Sequence, residues 1–361
     1  MSLASLLPPL RLLLLGYGHV AQALLPLLAQ RSEWLGRELG VRPLISGIGT
    51  RRRGYIVHPT GISPVLLAQE TDVFRRLGEA GRSVDAAAAF IDAGAAAAAF
   101  IDAGAAAGAS ILIELTTLNP HDGQPALSSI RQALAAGMDV ITANKGPIAH
   151  AQFELQALAQ RQQRHLRFES TIMDGLPVIN LAEFTLPGAN IRSFRALLNS
   201  TSSLVLSMIE QGHTLDEAIR AAQRKGVAEA DPWYDLDGWD AAMKTTILAN
   251  TLLEGRITPQ KVARVGIRDL ALDDICASAL AGTPIRLVAE ARRRHGLIVA
   301  EVHPQRLAHD DVLRVATGTS GLLSLETEAM GTITLIEHDP TVLQTAYGVF
   351  SDLVTILRQK A

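Results

Sequence analysis

The sequence predicts an α/β protein in which an N-terminal doubly wound parallel sheet is followed by a second domain of the α+β class. Short apolar runs alternate with helical patterns over roughly the first 145 residues, as expected when helices connect parallel strands. Beyond that point, strand and helix patterns follow one another in mixed order. With 361 residues, of which 48% are hydrophobic, the chain can fill two separate cores.

The first domain, residues 1–148, contains four predicted strands and two predicted helices. The strands lie at 10–15, 43–48, 110–115 and 139–142, and the helices lie at 20–30 and 126–136. An alanine-rich insertion at 85–109 separates strands of the sheet and repeats the residues AAAFIDAGAA at 87–96 and 97–106. We predict that this insertion is helical and has no catalytic role.

The second domain, residues 149–338, combines both kinds of element. Strands are predicted at 167–171, 191–198, 297–302 and 331–337, and helices at 204–210, 215–225 and 240–253. The last segment, 339–361, has a helical pattern over 341–358. We expect that helix to pack back on the first domain.

The composition argues against several classes of protein. The 33 basic and 36 acidic residues nearly balance and aromatic residues make up 4% of the chain, so a nucleic-acid-binding surface is not indicated. No apolar run reaches the roughly 18 residues needed to cross a membrane, and the run at 6–18 lacks the basic start and cleavage site of an export signal. The single cysteine, Cys276, is predicted to be a small core residue. We therefore expect a cytoplasmic protein without nucleic-acid or membrane partners.

The first predicted strand leads directly into a glycine-rich turn. The turn contains Gly16, Gly18, His19, Val20 and Ala21, which fit the G-x-G-x-x-G/A pattern of dinucleotide-binding turns. Gly16 would make the tight turn, Gly18 would let the backbone approach the pyrophosphate, and Ala21 would let the helix pack on the strand. The N–H groups at the helix start would face the phosphates. The position between a strand and a helix favours a dinucleotide-binding Rossmann domain over an ordinary glycine-rich turn.

Basic residues follow the second predicted strand. Thr50 stands where NAD-binding proteins usually have an acidic residue for the ribose 2′-OH, and Arg51, Arg52 and Arg53 come next. Guanidinium groups suit the 2′-phosphate of NADP because they present forked, positively charged donors. We predict NADP as the cofactor, with NAD as the alternative. The interpretation without a cofactor role is a solvated basic loop.

A lysine follows the predicted strand at 139–142. Ligands bind at the carboxyl ends of strands in open α/β sheets, so Lys145 can orient a carbonyl or hydroxyl group beside a nicotinamide. A surface lysine that extends from a loop would have the same spacing. Spacing alone does not decide between the two interpretations.

Charged residues are dense between positions 229 and 244. The group consists of Glu229, Asp231, Asp235, Asp237, Asp240 and Lys244. One interpretation is a capped helix, with Asp237 as the N-cap and Asp240–Lys244 as a surface ion pair at i,i+4 spacing. The other is an amino-acid site, in which carboxylates bind the substrate ammonium and a lysine transfers a proton.

These segments together resemble the homoserine dehydrogenase family. The family's T-A-N-K-G-P run is TANKGP at 142–147, and its E-x-D-P…D-x-(D/N)-G-x-D-x-x-x-K run is EADPWYDLDGWDAAMK at 229–244. ELTTLNP at 114–120, GQPAL at 123–127 and LLNSTSSLVLSMIE at 197–210 are also similar to family segments. The resemblance implies NAD(P)-dependent interconversion of L-homoserine and L-aspartate 4-semialdehyde, a step in threonine, methionine and isoleucine biosynthesis.

The resemblance also implies a role for each matching residue. Lys145 and Lys244 would bracket the reacting C–O group, and Asp240 would pair with Lys244 and the substrate. Glu229 and Asp235 would hold the amino-acid end of the substrate. The remaining implied contacts are Thr201 and Ser200 with the substrate, Thr116 and Lys145 with the cofactor, and the backbone of Glu169, Ile172, Asp174 and Leu176 with a monovalent cation, often sodium. A homodimer formed through the second domain is implied as well.

Three departures from the family pattern limit the resemblance. Ser200 replaces a glycine of the family's N-G-T-T-N segment, IMDGLP at 172–177 replaces a Gly/Ala-rich cation loop, and the G-P-G-A-G turn near the C-terminus is absent. A short form without a C-terminal regulatory domain or a preceding kinase is expected. Two other functions are compatible with the residues: a dehydrogenase of another amino acid such as aspartate, and an NADP-sensing protein without activity.

Overall fold

A computed structural model of the chain describes residues 7–84 and 93–360. These residues form two compact units, the first reaching Gly175 and resuming at Thr341, the second being Leu176–Pro340. The first unit therefore extends beyond residue 148, where the first domain was predicted to end, because a strand at Leu166–Arg167 still joins its sheet. Within the described ranges, no helix combines the length and apolar character needed to cross a bilayer.

The first unit is built on a seven-stranded sheet. Its strands are β1 (Pro9–Leu15), β2 (Arg42–Thr50), β3 (Gly54–Ile62), β4 (Arg82–Val84), β5 (Ile111–Glu114), β6 (Asp139–Thr142) and β7 (Leu166–Arg167). They lie side by side in the order β4-β3-β2-β1-β5-β6-β7. The order reverses between β1 and β5, and open α/β sheets bind ligands outside the strand ends at such a switch point.

The predicted parallel, doubly wound sheet is confirmed from β2 through β1, β5 and β6 to β7. An antiparallel edge, formed by β3 and β4, was not predicted. Pro59 lies in the middle of β3, and proline is confined to edge strands and bulges because it cannot donate to a neighbouring strand. The proline and the flanking glycines of GYIVHPTGI obscure the strand pattern in the sequence.

The second unit contains a six-stranded sheet. Its strands are β8 (Ile191–Leu197), β9 (Ala263–Arg264), β10 (Ile285–Arg294), β11 (Leu297–Arg306), β12 (Gly321–Thr327) and β13 (Gly331–Glu337). They are ordered β13-β12-β8-β10-β11-β9, and all neighbours are antiparallel except β9 and β11. The α+β character predicted for this part of the chain is confirmed.

Helices cover both sheets. They are α1 (His19–Leu39), α2 (Pro64–Leu67), α3 (Val73–Gly78), α4 (Ala93–Ala106), α5 (Ala126–Ala135), α6 (Lys145–Arg161), α7 (Val178–Asn180), α8 (Ser200–Glu210), α9 (Leu215–Arg224), α10 (Trp233–Leu236), α11 (Trp239–Leu252), α12 (Leu272–Leu280) and α13 (Val342–Lys360). Short 3-10 turns lie at Glu169–Thr171, Pro259–Lys261 and Val312–Val315, and a π-helical turn at Leu181–Thr185.

The C-terminal helix α13 packs against α1 in the first unit. Leu24 and Leu28 of α1 share one core cluster with Leu353 of α13, and the rings of Trp34 and Phe350 lie 6.2 Å apart. Burying an aliphatic side chain of this kind stabilises a fold by about 1.5–3 kcal/mol. The apolar face of α13 thus accounts for its return to the first unit.

The alanine-rich segment provides a helix that precedes β5. Helix α4 contains the second copy of the repeat, and that copy is helical as predicted. Its Phe100 is fully buried, with its ring 5.5 Å from that of Tyr55 on β3. Residues 85–92, which include most of the first copy, lie outside the described residues.

The predicted strand at 167–171 is wrong beyond Arg167. The chain turns there into the 3-10 turn Glu169–Thr171. The Thr171 hydroxyl donates to the Phe168 carbonyl at 2.7 Å, and the Glu169 N–H donates to Asp352 Oδ2 at 2.9 Å. These local and side-chain partners replace the hydrogen bonds that a longer strand would make.

Candidate active site

The β1–α1 turn has the geometry expected of a tight glycine turn. Gly16 has a φ of 102°, and a Cβ placed there would lie 2.4 Å from the Leu115 carbonyl oxygen. Its N–H donates to the Gly49 carbonyl at 2.8 Å, which joins the ends of β1 and β2. A side chain at position 16 would therefore collide with the backbone after β5 at the switch point of the sheet.

The start of α1 is open at Gly18. A Cβ at that position would meet no atom within 4 Å, and no side chain caps the helix. Gly18 and His19 are exposed, Val20 is half-buried, and Ala21 is buried. Because α1 has 21 residues and an uncovered N-terminus, its N–H groups and positive dipole end suit a pyrophosphate. The predicted residues of this turn thus fit a dinucleotide.

The three arginines form the turn between β2 and β3. Arg51, Arg52 and Arg53 are exposed, and the Arg53 N–H donates to the Thr50 hydroxyl at 2.9 Å. The Arg53 guanidinium donates to Asp72 at 2.5 Å and lies 4.2 Å from the ring centroid of Phe74. Arg53 is therefore held by other side chains of this unit.

A buried carboxylate lies at the end of β5. Glu114 accepts hydrogen bonds from the N–H and the hydroxyl of Thr116, at 2.7 and 2.5 Å, and from the Thr142 hydroxyl at 2.8 Å. Burial raises the pKa of Glu114, while the donors of Thr116, Thr142 and Asn144 oppose that shift. Thr116 was predicted to face the nicotinamide, but Glu114 was not singled out in the sequence.

Lys145 is the first residue of α6. The side chain of Asn144 caps this helix by accepting from the Gly146 N–H at 3.1 Å, and its amide donates to the Thr116 carbonyl at 3.3 Å. Lys145 is half-buried, not extended from an exposed loop. The strand ends that carry Thr116 and Lys145 are thus tied together by hydrogen bonds.

In the second unit, the predicted pair Asp240–Lys244 lies on one face of α11. Lys244 Nζ is 3.2 Å from Asp240 Oδ2 and donates to the Leu198 carbonyl at 2.7 Å. The side chain of Asp240 is 7% exposed and that of Lys244 is 18% exposed, so this is not the surface ion pair of the capped-helix interpretation. A lysine held this way beside a carboxylate has the chemistry needed for proton transfer.

Asn199, which the sequence did not identify as a site residue, connects the acidic side chains. Its amide donates to Asp235 Oδ1 at 2.9 Å and to Asp240 Oδ2 at 3.0 Å. Its carbonyl oxygen accepts from the Ser202 N–H at 2.7 Å and caps α8. The Thr201 hydroxyl adds a bond to Asp235 Oδ2 at 3.0 Å. An asparagine between a strand and a helix was the available signal, since it is a preferred N-cap.

Tyr234 was also missed, although it lies in the motif at 229–244. Its hydroxyl donates to the sulfur of Met243. The pKa of Tyr234 is raised strongly by burial and further by the negative charges of Asp240 and Asp235. The phenol therefore stays protonated beside these two carboxylates.

Two predicted substrate residues lie apart from this hydrogen-bond network. The Ser200 hydroxyl donates to the Thr319 carbonyl at 2.8 Å, and Glu229 is exposed. The expectation that Asp237 caps α11 is wrong, because the N-cap is Gly238, with a φ of 80° and no side-chain cap. Asp237 instead accepts two hydrogen bonds from Arg268, at 2.9 and 2.7 Å.

The predicted cation residues follow β7. Glu169 and Ile172 are buried, and Asp174 Oδ1 accepts from the Thr345 hydroxyl at 2.6 Å. Leu176 is the first residue of the second unit. Burial raises the pKa of Asp352, beside Glu169, to about 8, while Arg167 opposes that shift. Carbonyl and carboxylate oxygens are the ligands that hard cations prefer, so the donor set is compatible with a cation.

Relatives of known type match nearly the whole chain. Residues 177–354 match the family model for homoserine dehydrogenase. Over 347 residues, the chain is 35% identical to the NAD(+)-dependent homoserine dehydrogenase of Pseudomonas canavaninivorans, in an alignment that covers 96% of each protein. The chain belongs to the homoserine dehydrogenase family. It is therefore an oxidoreductase of the class that acts on CH–OH groups.

Solved structures named as homoserine dehydrogenases have the same fold. A putative homoserine dehydrogenase from Archaeoglobus fulgidus matches with a TM-score of 0.80 and 27% identity, over 96% of this chain and 99% of that one. A hyperthermophilic archaeal homoserine dehydrogenase in complex with NADPH matches with a TM-score of 0.78 and 27% identity, over 97% and 98%. One of these relatives depends on NAD(+) and another holds NADPH, so a nicotinamide dinucleotide is the cofactor in both.

Proposed function

We propose that the chain interconverts L-homoserine and L-aspartate 4-semialdehyde, with NADP(H) as the favoured cofactor, in the biosynthesis of threonine, methionine and isoleucine. The observation that carries this proposal is the largely buried Asp240–Lys244 pair, linked through Asn199 to Asp235 in a chain of the homoserine dehydrogenase family. When bound, the nicotinamide supplies or accepts the hydride.

Two lysines stabilise the oxygen of the reacting carbon. An ammonium has three N–H donors, and Lys244 directs two of them to Asp240 and the Leu198 carbonyl. The third donates to the substrate oxygen and exchanges its proton, while Asp240 keeps the ammonium oriented. Lys145, at the amino end of α6, donates to the same oxygen from the first unit.

Acidic side chains hold the amino-acid end of the substrate. Asp235 and Glu229 pair with its ammonium, since charge-assisted hydrogen bonds to carboxylates are stronger than neutral ones. Thr201 donates to Asp235, and Ser200 precedes it as the first residue of α8; both are assigned to contact the substrate. Asp235 is half-buried and fixed by two donors, so it is the more constrained of the two carboxylates.

The cofactor occupies the first unit. Gly16, Gly18 and the start of α1 receive the pyrophosphate, and Thr116 lies beside the nicotinamide. Arg51 and Arg52 favour the 2′-phosphate of NADP, because they are exposed in the turn after β2 and Thr50 supplies no carboxylate for a ribose hydroxyl.

A monovalent cation, sodium by preference, is a separate part of the proposal. The backbone of Glu169, Ile172, Asp174 and Leu176 would hold it. If so, turnover in sodium chloride should exceed turnover in choline chloride at equal ionic strength. Equal rates in the two salts would remove the cation from the proposal without affecting the lysines.

We further propose a cytoplasmic homodimer formed through the second unit. Light scattering coupled to size-exclusion chromatography should give about twice the 38.5 kDa mass of the chain. A monomer that turns over homoserine would contradict the dimer but leave the activity intact.

The activity is tested by supplying L-homoserine with NADP⁺ and, side by side, with NAD⁺, and following absorbance at 340 nm. We expect turnover with both and a higher kcat/KM with NADP⁺. Lys145→Ala and Lys244→Ala should each lower kcat by about 10²–10⁴-fold, the usual contribution of an acid–base group, with unchanged circular dichroism. Tight NADPH binding without turnover would instead indicate a sensor, and a preference for NAD⁺ would overturn the role of Arg51 and Arg52.

A further inference from the structure

A carboxylate without exposure to solvent lies beneath the strand ends of the first unit. Glu114 is the last residue of β5 and is paired in register with Thr142, the last residue of β6. A buried charge is costly unless hydrogen bonds satisfy it. The groups that donate hydrogen bonds to Glu114 therefore indicate the role of this buried carboxylate.

Those partners are all hydrogen-bond donors of the two strand ends. Thr116 donates to Oε1 from its N–H and its hydroxyl, and Thr142 donates to Oε2 from its hydroxyl. The nearby Asn144 side chain also opposes the rise of the Glu114 pKa that burial causes. Both oxygens thus act as acceptors, which is the pattern of an ionised carboxylate.

The residues that donate to Glu114 are also hydrogen-bonded to the segment that carries the proposed catalytic residue Lys145. The Thr142 hydroxyl accepts from the Asn144 N–H at 3.0 Å, and Asn144 caps α6 immediately before Lys145. The Asn144 amide also lies 3.3 Å from the Thr116 carbonyl oxygen. Displacing the Glu114 carboxylate would therefore release Thr116 and the start of α6 together.

We propose that Glu114 is a positioning residue for the dehydrogenase reaction, which holds Thr116 and the turn from Thr142 to Lys145 in the geometry that hydride and proton transfer require. The proposal rests on the roles proposed above for Thr116 and Lys145. Because Glu114 is fully buried, we assign it no contact with substrate or cofactor.

Glu114→Gln tests this role because glutamine has the same shape but brings two donors of its own. Its amide NH₂ must face either the Thr116 N–H, which can only donate, or the Thr142 hydroxyl, which would have to rotate. We expect kcat to fall by about 10- to 100-fold, since misplacement of reacting groups by about 1 Å has effects of that size, while KM for homoserine and NADP⁺ changes little.

A kinetic isotope effect separates positioning from loss of folded protein. With L-homoserine deuterated at the carbon that gives up the hydride, the isotope effect on kcat should be larger for Glu114→Gln than for the wild type, because misaligned groups slow the chemical step. A lower folded fraction would reduce kcat without changing the isotope effect, and that result, like an unchanged kcat, would overturn the proposal.

Asp139→Asn is the matched control. Asp139 is equally buried at the other end of β6, where it accepts from the His165 N–H at 2.9 Å and from Lys360. Its replacement should lower stability but leave kcat per folded molecule and the isotope effect unchanged. Lys145→Ala is assayed in parallel: full activity there refutes the role of Lys145, whereas an inactive Lys145→Ala with a fully active Glu114→Gln refutes the role of Glu114.

Discussion

Asn199 has two separable functions in the second unit. Its carbonyl oxygen caps α8, and its NH₂ group joins Asp235 to Asp240. Without that amide, each of the two carboxylates would lose a donor. The residue is therefore predicted to matter for both stability and the orientation of the pair Asp240–Lys244.

Replacement of Asn199 by serine and by alanine should separate these functions. Serine is a good N-cap but too short to reach both carboxylates, so Asn199→Ser should be more stable than Asn199→Ala by about 1 kcal/mol. Both variants should lose kcat/KM for homoserine to a similar extent. Urea unfolding and steady-state kinetics measure the two effects.

Asn250→Ala provides the control for loss of a buried asparagine. Asn250 exchanges two hydrogen bonds with the backbone of Ile257, each at 3.0 Å, at the far end of α11. The control should be destabilised with normal kcat/KM per folded molecule. If Asn199→Ser keeps wild-type kcat/KM, the link between Asp235 and Asp240 has no part in substrate turnover.

At the residue scale, the sequence predicted contacts within one helix better than contacts between separate elements. Asp240 and Lys244 could be placed on one helix face because their spacing is helical. Asn199 could not be linked to them, because its contacts depend on how α8, α10 and α11 pack. Glu114 was hidden for the same reason, since its partners come from two strands that are neighbours only in the folded sheet.

Among the elements, the β1–α1 turn makes the sharpest prediction, because its two glycines differ in kind. Gly16 has a left-handed φ and a backbone oxygen 2.4 Å from any Cβ, whereas Gly18 has an extended backbone and open space. Gly16→Ala should therefore be destabilised by at least the roughly 1–3 kcal/mol of a strained backbone. Gly18→Ala should fold normally but raise KM for NADP⁺, since the added methyl group enters the space expected for the pyrophosphate.

Gly40→Ala controls for the cost of a left-handed glycine alone. Gly40 ends α1 with a φ of 65°, and a Cβ placed there would meet no atom within 4 Å. Its replacement should cost some stability without affecting KM. Thermal unfolding and initial rates at varied NADP⁺ distinguish the three variants, and an unchanged KM in Gly18→Ala would place the pyrophosphate elsewhere.

Strands were predicted correctly where their burial in the sheet requires a continuous apolar run in the sequence. The short apolar runs of β1, β5 and β6 are buried along most of their length, as parallel strands are. Strands β10 and β12 were missed because they lack regular alternation: burial is nearly continuous over most of each strand, and in β10 it is lost over the last three residues. Nothing local distinguishes such runs from buried helix segments.

For the whole molecule, the division into two units separates the predicted cofactor residues from the predicted substrate residues. Gly16 to Ala21, Arg51, Arg52, Thr116 and Lys145 belong to the first unit, and the acidic residues with Lys244 belong to the second. The sequence predicted this separation, because the dinucleotide pattern and the motif at 229–244 stand far apart in the chain. It also predicted that the C-terminal helix returns to the first unit, but not that this unit runs on to Gly175.

This separation predicts where NADP⁺ protects the protein. Binding of a ligand at 100 times its Kd stabilises the folded state by about 2.7 kcal/mol, and hydrogen exchange shows which amides gain protection. NADP⁺ alone should protect the start of α1, the β2–β3 turn and the strand ends at Thr116 and Lys145. Amides at 229–244 should change less, because none of the proposed cofactor contacts lies there.

The Gly18→Ala variant supplies the internal comparison. At the same NADP⁺ concentration it should lose the protection at the start of α1, because weaker binding lowers the occupied fraction, while its exchange without cofactor matches that of the wild type. Protection confined to 229–244 would contradict the cofactor assignment. Such a result would move the dinucleotide from the glycine turn of the first unit to the acidic motif of the second, where carboxylates would repel its phosphates.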